Sequence, residues 1–150
     1  MSADVEVVSF VDTNVLVYAL AADDPQRSHV AQQLVRELME SNVFRTSTQV
    51  LQELFVTLTR KIRTPMKALE ALRYLDQLAE WPVAVLEYRA VRDAIHLAER
   101  AKISFWDALI VIAAARSGAM RLYTEDLHDG QTLLGVTVMN PFRGATKARR

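Results

Sequence analysis

Residues 5–22 read VEVVSFVDTNVLVYALAA, and the fold can be worked out from this stretch. Val5 to Val11 is rich in β-branched residues and is expected to form a buried strand. Asp12 closes that strand, Thr13 and Asn14 are cap-type residues, and the apolar run Val15 to Ala22 follows at once. A buried strand that hands over directly to an apolar element is how a βαβ unit begins, so the natural frame is a parallel sheet.

The alternation continues along the chain. Asp23-Asp24-Pro25 interrupts it, and a helix is expected from about Gln26 to Met39, with Val30, Leu34 and Leu38 on one stripe. Val43 to Thr46 reads as a second strand. Ser47 and Thr48 cap a helix from about Gln49 to Ile62, whose Leu51, Leu54, Phe55, Leu58 and Ile62 recur at core-facing intervals. Thr64-Pro65 predicts a cap and a first helical position for a helix running through Met66, Leu69, Leu72, Leu75 and Leu78 to Ala79. Pro82 to Leu86 suits a third strand and Tyr88 to Arg100 a helix. Ser104 then opens a helix that is apolar on every side from Ala108 to Ala115, hence buried, and Gly118 stops it. Arg121 to Thr124 and Val136 to Met139 complete a mostly parallel sheet of about five strands, with an acidic turn, Glu125 to Gly130, between the last two.

A chain of 150 residues with 51% hydrophobic composition can bury roughly 70% of its unfolded surface as one domain, enough to cover a sheet on both faces. We place that domain at residues 1–142 and a basic tail at residues 143–150. No apolar run approaches the roughly 20 residues of a membrane span. Met1 to Val8 carries Asp4 and Glu6 without a secretory pattern, so a cytoplasmic protein is expected. With no cysteine, thiolate metal sites, disulfides and cysteine nucleophiles are excluded. The formal net charge of +0 is unlike a free nucleic-acid binding domain. Two local basic groups could still touch phosphates: Arg60, Lys61, Arg63 and Lys67, and then Arg143, Lys147, Arg149 and Arg150.

Four carboxylates, Asp12, Glu53, Asp107 and Asp126, stand near the ends of these elements. Ligands of open parallel sheets gather outside the carboxyl ends of the strands, so all four acids are able to face one cleft. Such a set repels itself and suits a hard divalent cation, for which magnesium commonly uses one or two carboxylates. Asp12 and Asp107 are the candidate direct ligands; Glu53 and Asp126 would hold a second ion or orient the attacking water. Each acid also has a plainer reading. Ser104-Phe105-Trp106-Asp107 is a capping box, Glu53 lies on a polar helix face, and Asp126 sits among turn residues. Asp12 is the exception, because a carboxylate against an apolar run is costly to desolvate unless it is paired or metal-bound.

Four segments, Val11-Asp12-Thr13-Asn14-Val15-Leu16, Gln49-Val50-Leu51-Gln52-Glu53-Leu54, Phe105-Trp106-Asp107-Ala108-Leu109-Ile110 and Tyr123-Thr124-Glu125-Asp126-Leu127, resemble in order and spacing the motifs of the PIN-domain family. The likeness spans essentially the whole chain and is greatest to the VapC-type toxins of toxin-antitoxin pairs. It implies a three-layer α/β/α sandwich and an acidic pocket for Mg2+ or Mn2+. It also implies endoribonuclease activity through a metal-activated water, a homodimer, and a small cognate antitoxin. Carried over by position, Asp12, Glu53, Asp107 and Asp126 form the acidic set, with Thr13, Asn14 and Thr124 as polar neighbours. Many relatives carry a further Asp where this chain has His128, which leaves Glu125, Asp126 and Asp129 as alternatives for the last ligand, with His128 as a possible substrate contact. His29 and His96 have no part in this scheme.

Two other classes are weighed against it. A phosphatase of the haloacid dehalogenase type needs a second Asp two residues after the first, where this chain has Asn14. A catalytically silent module that binds RNA or protein would keep the acids without turnover.

Overall fold

The computed structural model describes residues 7–21 and 23–143. Val5, Glu6 and Ala22, and the basic residues Lys147, Arg149 and Arg150, lie outside the described residues. Strand β1 (Ser9–Val11) leads into helix α1 (Thr13–Leu20), and helix α2 (Pro25–Glu40) leads back to strand β2 (Phe44–Ser47). Helix α3 (Thr48–Val56), helix α4 (Ala68–Leu78) and strand β3 (Val83–Ala84) form the next passage. Helices α5 (Tyr88–Ala101) and α6 (Phe105–Arg116) precede strands β4 (Arg121–Tyr123), β5 (Thr132–Leu133) and β6 (Val136–Met139).

The six strands lie in the order β3-β2-β1-β4-β6-β5, parallel except for the last pair. The chain builds outward from β1 through β2 to β3, then returns to the other side of β1 with β4. The switch point therefore falls between β1 and β4, and the loops leaving their carboxyl ends diverge there. Helices cover both faces, as expected of an α/β/α sandwich. Phe10 and Val11 of β1, Phe44 of β2, Leu122 of β4 and Val138 of β6 are buried in the core. Helix α6 is sunk among them, with every residue from Ala108 to Ala114 buried. No helix among the described residues is long and apolar enough to cross a membrane.

Local chemistry explains most of the boundaries. Asp24 caps α2 by accepting from Arg27 N, and Pro25 takes the first turn, where its missing N–H costs nothing. Ser47 accepts from Val50 N at 3.2 Å to start α3, and Ser104 accepts from Asp107 N at 3.0 Å to start α6. Gly118, at φ +80°, takes the left-handed position after α6.

Five expectations need correction. The first strand is only Ser9–Val11, so the β-branched run of Val7 and Val8 is not all ladder. The cap of α1 is Asp12 itself, because its carboxylate accepts from Thr13 N. The long helix to Ile62 ends as α-helix at Val56 and continues as a π-helical turn over Thr57–Lys61. Thr64-Pro65 does not open α4, which begins at Ala68 after Lys67; Met66 N instead donates to Leu58 O at 2.8 Å, holding that connection against the π turn. A sixth strand, β5, pairs antiparallel with β6 through Leu134 (φ 52°) and Gly135 (φ 77°). Two consecutive positive φ angles make the tight hairpin turn that matches strand twist, but Leu in place of Asn or Asp concealed it.

Candidate active site

Asp12 leaves β1 and Thr124 leaves β4 side by side, and the backbone pairing carries through to them: Asp12 N donates to Tyr123 O at 3.0 Å. Asp12 is 6% exposed. Its Oδ1 accepts from Thr13 N at 2.7 Å and its Oδ2 accepts from the Thr124 hydroxyl at 2.9 Å. Asn14 ties the two strand ends together. Its Nδ2 donates to Thr124 Oγ1 at 3.1 Å and to Asp126 Oδ2 at 3.0 Å, while its Oδ1 accepts from Glu125 N at 3.3 Å. The further approach of Nδ2 to Asp12 Oδ2, at 3.4 Å, is the weakest of the three because an amide has only two protons to give. Asp126 N donates to Thr124 Oγ1 at 3.1 Å, fixing the start of the acidic turn.

The remaining acids arrive from helices. Asp107 sits in the first turn of α6, where Ser104 secures the helix start. Glu53 lies near the middle of α3 and its Oε1 accepts from Gln49 Nε2 at 3.2 Å, one turn earlier. Burial lifts the Asp12 pKa from 3.8 to about 7, against the lowering effect of its Thr13 and Thr124 bonds and with help from the charges of Asp126 and Glu53. Partial burial also raises Glu53, and the charges of Asp107 and Asp126 add to it. Asp107 is raised by partial burial and then by Asp126. Acids from four separate elements thus feel one another, which requires that they share one region.

The residues beyond Asp126 divide. Glu125 accepts from the Tyr18 hydroxyl at 3.0 Å; Tyr18 in turn packs edge-on against Phe142, with ring centres 4.8 Å apart. Asp129 is engaged elsewhere: it accepts from Asn140 N at 2.7 Å and from Arg143 Nη1 at 2.6 Å, and the Asn140 bond holds its carboxyl below the usual range. Asp126 is therefore the acid of this turn that joins the set. His128 is exposed and bears on the charge of Asp129; His29 and His96 are exposed on α2 and α5. Arg143, one of the basic residues that could touch phosphates, is paired with Asp129. Of the first basic group, Lys61 enters the site, lining with Thr13, Glu53 and Thr57 a cleft of about 300 Å3. Tyr18 gave no signal in the sequence, since an aromatic within an apolar helix reads as core. The i, i+4 spacing of Gln49 and Glu53 is the one local hint of the bond that orients Glu53.

Whether the set suits a divalent ion can be judged from its donors. Among the described residues no three His, Asp or Glu side chains converge closely enough to cage an ion by themselves. That is compatible with magnesium or manganese, which bind through one or two carboxylates and keep several waters. Thr13 Oγ1 and Gln49 Oε1 are buried without a protein partner, and buried polar atoms left over in this way call for a ligand or solvent. A bound cation would offset the repulsion among these acids. The donor set fits.

Fold and site together define an α/β domain in which Asp12 and Asp126 are tied together through Asn14 and Thr124 at the switch point. The chain belongs to the PIN domain family, whose model matches residues 9–128. Among solved structures it is similar to Mycobacterium tuberculosis VapC20, a sarcin-ricin loop cleaving toxin, at 23% identity over 79% of this chain and 91% of that one, with a TM-score of 0.63. It is similar to a toxin-antitoxin complex from Klebsiella pneumoniae at 18% identity, over 89% and 97% of the two chains, with a TM-score of 0.64. FitAcB from Neisseria gonorrhoeae is similar at 19% identity, over 90% and 99%, with a TM-score of 0.62. At these identities the likeness is one of fold. No curated protein matches the chain in sequence.

Proposed function

We propose that this protein is a Mg2+- or Mn2+-dependent endoribonuclease and the toxin of a cytoplasmic type II toxin-antitoxin pair. The observation that carries the reading is the hydrogen-bonded link of Asp12 to Asp126 through Asn14 and Thr124 at the β1–β4 switch point, with the charges of Glu53 and Asp107 bearing on the same acids. Membership of the PIN family supports a nuclease, and the toxin-antitoxin neighbours in fold support a small cognate antitoxin, whose C-terminal segment would cover the cleft. A homodimer belongs to the same proposal.

Asp12 and Asp107 would hold the ion, with Glu53 and Asp126 beside them. When bound there, a divalent ion lowers the pKa of a water and offsets charge developing on the phosphate. The chain's own part is to hold the reactants in line. Asn14 and Thr124 fix the carboxylates of Asp12 and Asp126, so little reorganisation is needed when charge develops. Glu53, steadied by Gln49, and Asp126 would orient the attacking water through its hydrogen atoms. The water oxygen bonds to phosphorus as the ester bond on the opposite side breaks, and the leaving oxygen takes up a proton. Lys61 on the rim offsets part of the acids' repulsion toward the phosphate backbone.

A catalytically silent RNA- or protein-binding module is the second reading, since an intact acidic set permits catalysis without requiring it. Incubating purified protein with RNA, with and without manganese, separates the two. Metal-dependent cleavage lost in Asp12→Asn supports the enzyme, and RNA retention with no turnover in the unaltered protein supports the module.

A further inference from the structure

Helix α1 grips the acidic turn at two points. Asn14 and Tyr18 stand four residues apart on it, and so on one face. Asn14 Oδ1 accepts from the backbone N of Glu125 at 3.3 Å, and the Tyr18 hydroxyl donates to Glu125 Oε1 at 3.0 Å. One residue is thus held at its backbone and at the end of its side chain by a single helix. The phenol keeps its proton for this bond, because partial burial and then the Glu125 charge raise its pKa above the ordinary 10.0.

Tyr18 is itself held in place. Its ring meets the fully buried Phe142 edge-on at 4.8 Å, and the Arg27 guanidinium lies 5.6 Å from the Tyr18 ring centre and 5.8 Å from that of Phe142. Asp24 Oδ2 pairs with Arg27 Nη1 at 3.1 Å. Phe142 N donates to Asn140 Oδ1 at 2.8 Å, and Asn140 N donates to Asp129 Oδ1 at 2.7 Å. The turn is therefore held at its start by Tyr18 and near its end by Asn140, and both holds lead back to Phe142.

Asp126 needs such a frame. It is exposed, and its carboxylate accepts from Asn14 Nδ2 at 3.0 Å. The charges of Asp12, Glu53 and Asp107, which feel that of Asp126, act against its staying beside them. An exposed carboxylate under repulsion takes its place from the backbone that carries it, so whatever fixes Glu125 fixes its neighbour.

We propose that Tyr18 is a positioning residue for Asp126: by holding the Glu125 carboxylate it fixes the acidic turn, and the affinity of the acidic set for its divalent ion depends on that hydroxyl. The inference rests on the metal-dependent nuclease reading and gives Glu125 the part of a tether, leaving coordination to Asp126.

The test measures manganese Kd by electron paramagnetic resonance, and amide hydrogen exchange in the metal-free protein. Tyr18→Phe should weaken manganese binding about tenfold and speed exchange at the Glu125 and Asp126 amides. Its melting temperature without metal should change little, because the ring keeps Phe142 and Arg27. RNA cleavage by this variant should be slow at limiting manganese and recover in excess, with KM for RNA unchanged. Glu125→Gln should keep most of the affinity, since its amide oxygen still accepts from the phenol. Glu125→Ala should lose as much as Tyr18→Phe, and the double variant no more than either. Additive losses, or an unchanged Kd in Tyr18→Phe, would overturn the proposal. So would a Glu125→Gln protein that binds manganese as poorly as Glu125→Ala, because Glu125 would then be a ligand. Faster exchange in Tyr18→Phe within a protein that binds no manganese would sink the nuclease reading and leave the hold of Tyr18 on the turn standing; manganese-dependent cleavage indifferent to Tyr18→Phe would do the reverse.

Discussion

Replacing Asp12 with asparagine should stabilise the metal-free protein and remove a pH dependence that the unaltered chain possesses. The carboxyl goes from an ordinary 3.8 to about 7 on folding, chiefly because it is buried. Folded protein therefore holds a proton that the unfolded chain releases between those values. Stability from this group is fully present below about pH 4, declines as pH rises toward 7, and stays lost above it. At about 1.4 kcal/mol per unit, the whole decline is on the order of 4 kcal/mol. Asparagine has the size of the neutral acid, can still accept from Thr13 N, and never ionises. Its advantage over Asp12 should be roughly 1 to 2 kcal/mol near pH 5 and grow by about 3 kcal/mol toward pH 8, an increase worth roughly 6 to 12 °C in Tm for a domain of this size. Urea denaturation of both proteins in a chelator, at the two pH values, measures the difference directly. An Asp12→Asn protein no more stable than its parent near pH 8, or a gain that does not vary with pH, would refute the reasoning. Manganese should reverse the order, because only the carboxylate gains a cation.

Asp107→Asn should abolish RNA cleavage while leaving the far-UV circular dichroism unchanged, since Ser104 supplies the cap of α6 through Asp107 N; retained turnover would make Asp107 purely structural. Saturating magnesium or manganese should raise Tm, by about 2.7 kcal/mol equivalent at a hundredfold excess over Kd, and an unchanged melting curve would count against the site. Leu134 holds φ 52° in the β5–β6 turn, a conformation that Asn tolerates better than Leu. Leu134→Asn should therefore gain up to about 1 kcal/mol in denaturant unfolding, and a loss would show that the half-exposed leucine packs more than it strains.

Elements that obey local rules were legible before the structure. The apolar runs at Phe10, Phe44 and Leu122, the caps Ser47 and Ser104, and the all-round apolar surface of α6 report their environment residue by residue. The parallel frame followed from their alternation. What depended on tertiary pairing was hidden. Strand β5 is two residues long and forms only because β6 offers it an edge, and no periodicity of α3 announces where its hydrogen bonds widen into the π turn at Thr57. At the site, the acids could be named from their positions at element ends. The choice among Glu125, Asp126 and Asp129 could not, because it turns on long-range partners: Tyr18 for Glu125, Asn14 for Asp126, and Asn140 with Arg143 for Asp129.

The central claim is that four carboxylates at the β1–β4 switch point assemble a metal-dependent ribonuclease. Single-turnover cleavage of a panel of RNAs, with manganese or with chelator and alongside Asp12→Asn, addresses it most directly. The account predicts discrete internal cuts in manganese, none in chelator, and none in Asp12→Asn even though that protein still binds RNA. Cuts that persist without divalent ions, or in Asp12→Asn, would contradict it.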